Sequence, residues 1–534
     1  MVSNNLRFGS PNFTPQGRRV TSFVYQDSLS WTHGKHTLKF GGEARRNRFN
    51  SFNNNINLTL RFNTVADFQA GRVAQTTQNT AERIVALRST NLNLFAQDDW
   101  KVLPRLTLNL GVRYELNTVP QDARNFLSRF DFSTRQFTRT SDPGFNGDHN
   151  NFGPRAGFSW DPFGKGKTAV RGGYGIYFDQ LAFEFISALS GNPPLNFSLL
   201  ANNTTLAAPF GTGAALPTPN ITAIDPGLRT PYVQQFNFNL QHQVFKDTVV
   251  EAGWYGSKGT RLLHIRDFNA FLGGARPLPR SADGVGIARI DLRETASNST
   301  FHSFQLTGRS AYKGSNFYLA YTLSKAIDDI SLDSTITNGG FQDPRNLRPD
   351  KGLADFDARH RLVFSWVYEL PFKASGLAGK FVRGWELSTI GSFQSGNPFN
   401  PLLVANNSGT ADFNDRPNVI GDPMGPRTVD QFFNTAAFAL PAAGQFGNAG
   451  RNIITGPGYA NVDLGLFKNT YFGKEDRFRT QLRAEFFNIP NHPNFAQPQR
   501  NFPGATFGRI LNTRTAAGDA GSARQIQLGL KFYW

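Results

Sequence analysis

The chain has no cysteine among its 534 residues. Disulfide frameworks, thiolate metal sites and cysteine nucleophiles are thereby excluded, and the redox character of its compartment stays unread. Long apolar runs are missing too. No stretch approaches the roughly 18 apolar residues that a membrane-spanning helix needs. Hydrophobic residues are only 39% of the chain, at a mean hydropathy of -0.39. A helical membrane protein is excluded, but a barrel is not, because only alternate residues of its strands face lipid. The first residues, Met1-Val2-Ser3-Asn4-Asn5, lack the basic region and apolar core of an export signal.

Charge blocks are absent as well. The net charge is +17, yet its carriers, such as Arg113, Arg171, Arg309 and Arg483, stand singly along alternating segments. Phosphate-backbone binding usually leaves a clustered footprint, so nucleic acid is not an expected partner. An Arg-rich lumen and rim account for the charge instead. Gly164-Lys165-Gly166-Lys167-Thr168 has the look of a phosphate loop, but position 161, where the first glycine is required, is Asp161. The segment joins two alternating strands rather than a strand and a helix, so it reads as a hairpin turn. No zinc-protease helix, nucleophile elbow or metal-spaced histidine set is evident, and no enzymatic role or cofactor is expected.

What the chain does have is aromatics, 13% with 51 Phe, in strict period-two patterns. Leu106, Leu108, Leu110, Val112 and Tyr114 alternate with Thr107, Asn109, Gly111, Arg113 and Glu115. Val170 to Phe178, Phe236 to Leu240, Phe317 to Leu323 (with Leu319), Leu362 to Leu370 and Phe478 to Phe486 repeat the pattern. About fifteen such strands are expected, near 20–32, 36–48, 91–101, 105–116, 153–161, 168–178, 232–245, 248–256, 301–312, 316–325, 360–370, 384–394, 460–470, 477–487 and 525–534.

The connections separate a barrel from a soluble sandwich. Tight turns such as His33-Gly34-Lys35, Lys313-Gly314-Ser315 and Phe472-Gly473-Lys474 alternate with long stretches such as 49–90, 179–231 and 395–459. Outer-membrane barrels have this rhythm of short periplasmic turns and long extracellular loops. The fold class expected is therefore all-β, a transmembrane antiparallel barrel. Its closing strand would be 525–534, with Leu528 facing lipid and Leu530, Phe532 and Trp534 as a terminal aromatic signal for the barrel assembly machinery. If Trp534 ends at the periplasm, the polar exceptions Asp98, His242 and Lys468 fall near periplasmic strand ends, where a charge on the lipid face costs about 0–1 kcal/mol rather than about 2–4. Trp31, Trp100, Trp254 and Trp385 would form an interfacial girdle. Fifteen is odd, whereas bacterial single-chain barrels have even strand numbers. The expectation is a barrel portion over 20–534, preceded by a loop segment over 1–19, with further strands, a plug and an export signal encoded before Met1.

Several segments resemble the Oar-like group of TonB-dependent transporters. They are Asn93-Leu94-Phe95-Ala96-Gln97-Asp98-Asp99-Trp100 with Leu108-Asn109-Leu110-Gly111-Val112-Arg113-Tyr114-Glu115, and Phe152-Gly153-Pro154-Arg155-Ala156-Gly157-Phe158-Ser159-Trp160-Asp161-Pro162. Asp355-Phe356-Asp357-Ala358-Arg359-His360-Arg361, Glu369-Leu370-Pro371-Phe372 and Gly447-Asn448-Ala449-Gly450-Arg451-Asn452 follow. The most specific is Arg483-Ala484-Glu485-Phe486-Phe487-Asn488-Ile489-Pro490-Asn491-His492-Pro493-Asn494-Phe495. The resemblance implies a barrel of about 22 strands with a plugged lumen, ligand capture by outer loops, and passage when TonB pulls on the plug. It leaves open siderophore, glycan, peptide and export roles. A surface-adhesion or structural barrel without transport is the alternative, and a soluble multi-strand binding protein is a further one. Outer-membrane lipid and lipopolysaccharide are expected partners.

Two groups of loop residues are candidates for binding. Asp328, Asp329 and Asp333, and Asp412, Asn414 and Asp415, are oxygen clusters of a kind that can hold calcium, although such residues more often cap turns. Phe413, Phe432, Phe433 and Phe438 could stack on a ligand, although loop-on-loop packing is the commoner use.

Overall fold

The computed structural model describes residues 6–8, 15–53, 56, 58–211, 218–271, 274–331, 340–410, 414–473, 477–514 and 523–534. One sheet of eighteen strands dominates. Three of these strands are short pieces at the rim: Gln121–Asp122, Ile221–Ile224 and Gly352–Leu353. The other fifteen form the wall. They are β1 (Gln16–His33), β2 (His36–Asn53), β3 (Arg83–Leu103), β4 (Leu106–Asn117), β5 (Phe152–Trp160), β6 (Thr168–Phe178), β7 (Tyr232–Phe245) and β8 (Thr248–Asp267). Then come β9 (Ile290–Tyr312), β10 (Ser315–Asp328), β11 (His360–Glu369), β12 (Trp385–Gln394), β13 (Tyr459–Phe472), β14 (Phe478–Phe487) and β15 (Gln525–Tyr533).

Each wall strand pairs antiparallel with the next in sequence, giving an unbroken meander. All fifteen expected strands are present. Among the described residues, β1 pairs in the wall only with β2, and β15 only with β14. β1 begins at Gln16, so residues 16–19 of the expected leading segment belong to the wall.

The two ends of the wall differ in the way the sequence rhythm implies. At one end the connections are tight. The hairpin of β9 and β10 turns through Lys313 and Gly314, both at positive φ (46° and 75°), the twist that suits a two-residue hairpin. At Gly164–Lys167 the carboxylate of Asp161 accepts the N–H groups of Gly164 and Gly166, each at 2.9 Å. These bonds hold the Asp161 carboxyl below its ordinary range, the one from Gly166 most. The chain's own carboxylate fills this glycine-rich turn, which is a hairpin as expected. One connection at this end is longer, 370–384, and holds a helix, α3 (Gly376–Val382).

At the other end the long connections fold into a layer of their own. It contains α1 (Val65–Gln69), α2 (Phe183–Ser187) and several two- to eight-residue strands. Strands β3, β8 and β9 run further into this layer than alternation indicated, by 83–90, 257–267 and 290–300. The three buried apolar clusters sit here. One joins Phe49, Leu87, Leu127, Phe185 and Leu189, another Phe130, Ile221, Ile290 and Leu292, and the third Phe399, Phe433, Phe438 and Phe507. Among the described residues the wall has no comparable core, because it is one layer thick.

Candidate functional site

Cross-strand register sorts the wall side chains onto two faces. Leu108 stands opposite Phe158 and Trp100, Leu319 opposite Gly308 and Phe364, and Leu528 opposite Ala484. Leu106 and Leu110 share this face with Leu108 by period two. The face is exposed: Leu110 is 43% and Leu528 is 78% accessible, and Leu94, Phe238, Leu240, Phe304 and Phe317 are open too. Such a continuous apolar surface is far more than a soluble monomer carries.

The opposite face is polar, and its members bond to one another. Asn109 donates to Asp99 (2.6 Å) and Arg113 to Glu115 (2.8 Å). Arg45 lies 3.0 Å from Glu43, to which Asn93 also donates. Arg171 donates to Gln241 and Arg483 to Glu485, both at 2.9 Å. Arg155 lies over the Tyr177 ring at 4.5 Å and Arg479 over Tyr533 at 3.9 Å. Arg113, Arg171 and Arg483, three of the singly placed arginines of the sequence, therefore stand in a bonded ladder on one face. Between β2 and β7 polar side chains bound a concavity of about 460 Å³ lined by Lys39, Asn109, Arg113, Arg155, Tyr177 and Asn237.

The loop layer is held by buried ion pairs. Arg416 and Asp350 are almost wholly inaccessible and lie 2.5 Å apart. Burial pushes the Asp350 carboxyl up, partly offset by Arg416. His264, also inaccessible, bonds Glu294 at 2.7 Å through Nε2 and Ser297 at 2.8 Å through Nδ1. Arg266 bonds the same Glu294 carboxylate. Burial raises the Glu294 carboxyl, but the bonds from His264 and Arg266 together outweigh it and bring it to about 2. Sequence reasoning missed these residues, because their partners are set by loop packing.

Two stretches that carry the family resemblance bond each other at this rim, and a third bonds β13 beside them. Arg451 donates to Asp328 and, at 3.0 Å, to Asp355, while Asn452 reaches Asp355 at 2.6 Å. In the third stretch, the Asn488 N–H donates to Asp463 and Asn494 accepts from the Ala460 N–H, both at 2.8 Å.

The sequence-derived candidates are placed as follows. Asp328 is paired with Arg451, Asp329 accepts from the Asn298 N–H, and Asp415 accepts from the Ser408 N–H. Asp333, Asp412 and Phe413 lie outside the described residues. Among the described residues, no three or more His, Asp or Glu side chains converge on a metal position. Phe432, Phe433 and Phe438 are buried in one cluster, which is loop-on-loop packing. Leu530 and Phe532 lie on the apolar face of β15, and Phe532 stacks on Phe478 and on Trp534, just beyond the strand, at about 6 Å.

Three polar residues of the apolar face, Asp98, His242 and Lys468, do sit at the tight-turn end as expected, and each has a partner. Asp98 bonds His36 at 2.7 Å, His242 bonds Thr168 at 2.8 Å, and Lys468 donates to the Lys380 carbonyl at 2.8 Å. Trp31, Trp100 and Trp385 share that level. Trp254 does not: it lies in mid-wall beside Phe236 and His302, because β8 runs far past the segment that alternation marked. Asp27, which the sequence reading passed over, shares the apolar face of β1 with Leu29 and Trp31.

The family model described as "Outer membrane beta barrel domain" matches residues 1–527. A curated relative, the TonB-dependent transporter Oar of Myxococcus xanthus, is 29% identical over 119 residues, 21% of this chain and 9% of that protein. The outer membrane transporter YddB of Escherichia coli superposes with a TM-score of 0.55 at 12% identity, over 97% of this chain and 55% of YddB. The chain thus spans about half the length of the solved transporter and far less of the curated one, and the likeness to YddB is one of fold.

Proposed function

We propose, from the premise that this chain belongs to the outer membrane beta barrel domain family and resides in the bacterial outer membrane, that it is the wall and outer mouth of a TonB-dependent transporter. The apolar face meets hydrocarbon, the Arg-rich face lines the lumen, and the loop layer faces the outside and captures ligand. The observation that carries this reading is the bonded polar ladder on the face opposite the apolar belt. A lumen needs fixed polar groups that water and solute can pass, and pairing holds the arginines at the wall. Energy coupling would come through a plug contacting TonB, and insertion through recognition of Leu530, Phe532 and Trp534 by the assembly machinery.

The test is genetic and biochemical together. A strain lacking this gene and a strain lacking TonB are compared for uptake of labelled siderophores, glycans and peptides. Loss of the same uptake in both supports the proposal. Unchanged uptake with reduced surface attachment would replace it with an adhesion barrel.

A further inference from the structure

The connection 370–384 is unlike the other tight-turn links. Its helix α3 lies against the apolar side of the wall rather than under the lumen, because two side chains of that side hold it. Trp385 Nε1 donates to the Phe381 carbonyl at 3.0 Å, and Lys468 Nζ donates to the Lys380 carbonyl. Trp385, Lys468, Leu482 and Leu530 form one cross-strand row over β12 to β15. The next row is Leu387, Leu466, Ala484 and Leu528. Small Ala484 leaves a groove of about 500 Å³ between the rows, walled by Trp385, Leu466, Leu482, Leu528 and Leu530.

The surroundings of the groove are those of a headgroup level. Phe472, Phe478, Phe532 and Trp534 stack beside it, as an aromatic girdle does at the membrane interface. On the segment itself Phe372 and Phe381 are exposed, 50% and 75%, next to the exposed cations Lys373, Lys380 and Arg383. No acidic side chain among the described residues pairs with those three. An aromatic foot flanked by basic residues matches an anionic interface.

We infer that residues 371–383 and this groove bind an anionic phospholipid of the periplasmic leaflet, its phosphate among Lys373, Lys380 and Arg383 and one acyl chain over Ala484. The inference rests on the proposed orientation, with tight turns toward the periplasm. Lys468 closes the groove at its headgroup end, its ammonium held by the Lys380 and Asn469 carbonyls and Thr470 Oγ1 at 2.8 to 3.1 Å.

Native mass spectrometry of the detergent-purified chain, titrated with dioleoyl phosphatidylglycerol and with dioleoyl phosphatidylcholine, reads the site. One phosphatidylglycerol is expected to bind at least about tenfold tighter than phosphatidylcholine, since each basic residue near an anionic surface contributes roughly fivefold. The K373Q/K380Q/R383Q variant is expected to lose that preference, and A484W to lose the bound lipid. Brominated phosphatidylglycerol should quench a share of the tryptophan fluorescence that is missing in W385F. Equal binding of the two lipids, or a preference kept by the triple variant, would overturn the inference. Orientation is read separately: Ser375→Cys, in a chain without native cysteine, should react with an impermeant maleimide only after the outer membrane is permeabilised. Labelling in intact cells would overturn the periplasmic placement and leave the lipid preference to stand or fall by its own measurement.

Discussion

Arg451, from the long connection between β12 and β13, lies 2.5 Å from Asp328 at the loop-layer end of β10, 123 residues earlier in the chain. The same guanidinium bonds Ser331 and Asp355. Both charges of the Arg451–Asp328 pair are buried, so removing one strands the other, at a cost on the order of 3–5 kcal/mol. Arg451→Ala should therefore loosen 340–359 and 414–458 while sparing the wall, measured as faster amide hydrogen exchange in those segments only. Removing calcium with EDTA should leave their protection unchanged, because Arg451 already neutralises Asp328. Calcium-dependent protection would contradict this assignment.

The His264–Glu294–Arg266 cluster makes a pH prediction. Glu294 titrates at about 2 in the folded chain against an ordinary 4.5. A carboxyl depressed by folding contributes stability that is complete above 4.5 and lost as pH falls from there toward about 2. Protease sensitivity of the loop layer should rise through that window. Glu294→Gln should be more sensitive at neutral pH and flatter across the acid range.

Depth along the apolar face sets a graded cost. Leu106 adjoins the turn after β3, whereas Leu319 lies four residues inside β10. Leu319→Arg should destabilise the chain refolded in vesicles by about 2–4 kcal/mol, and Leu106→Arg by about 0–1. Equal costs, read from urea midpoints, would argue against a hydrocarbon gradient.

Trp534 is 86% exposed and touches Phe532. Trp534→Ala should leave the folded chain in detergent nearly as stable as before, yet lower the amount inserted in the outer membrane of cells. Parallel loss of stability and insertion would assign the residue to packing instead of recognition.

The wall was legible in the sequence because one constraint repeats: each strand presents apolar and polar groups to opposite sides. Where that constraint ends, legibility ends. Residues 83–90, 257–267 and 290–300 continue β3, β8 and β9 beyond the alternating belt, where both faces meet other loops and buried polar side chains such as Ser89, His264 and Glu294 replace the pattern. Trp254 is expected in the interfacial girdle for the same reason, since the alternating segment stops at 256 whereas β8 runs to Asp267. Helix α3 was hidden inside a link that looked like a long turn. The Arg451–Asp328 and Arg416–Asp350 pairs join distant loops, and no local spacing announces them.

Site-directed spin labels placed singly from Leu106 to Glu115 in the reconstituted chain would test the central claim most directly. Even positions should be accessible to oxygen and shielded from a water-soluble nickel complex, odd positions the reverse, with a period of two residues. Nickel access at Leu108 and Leu110 equal to that at Asn109 and Gly111 would contradict the claim that one face of this wall meets lipid and the other water.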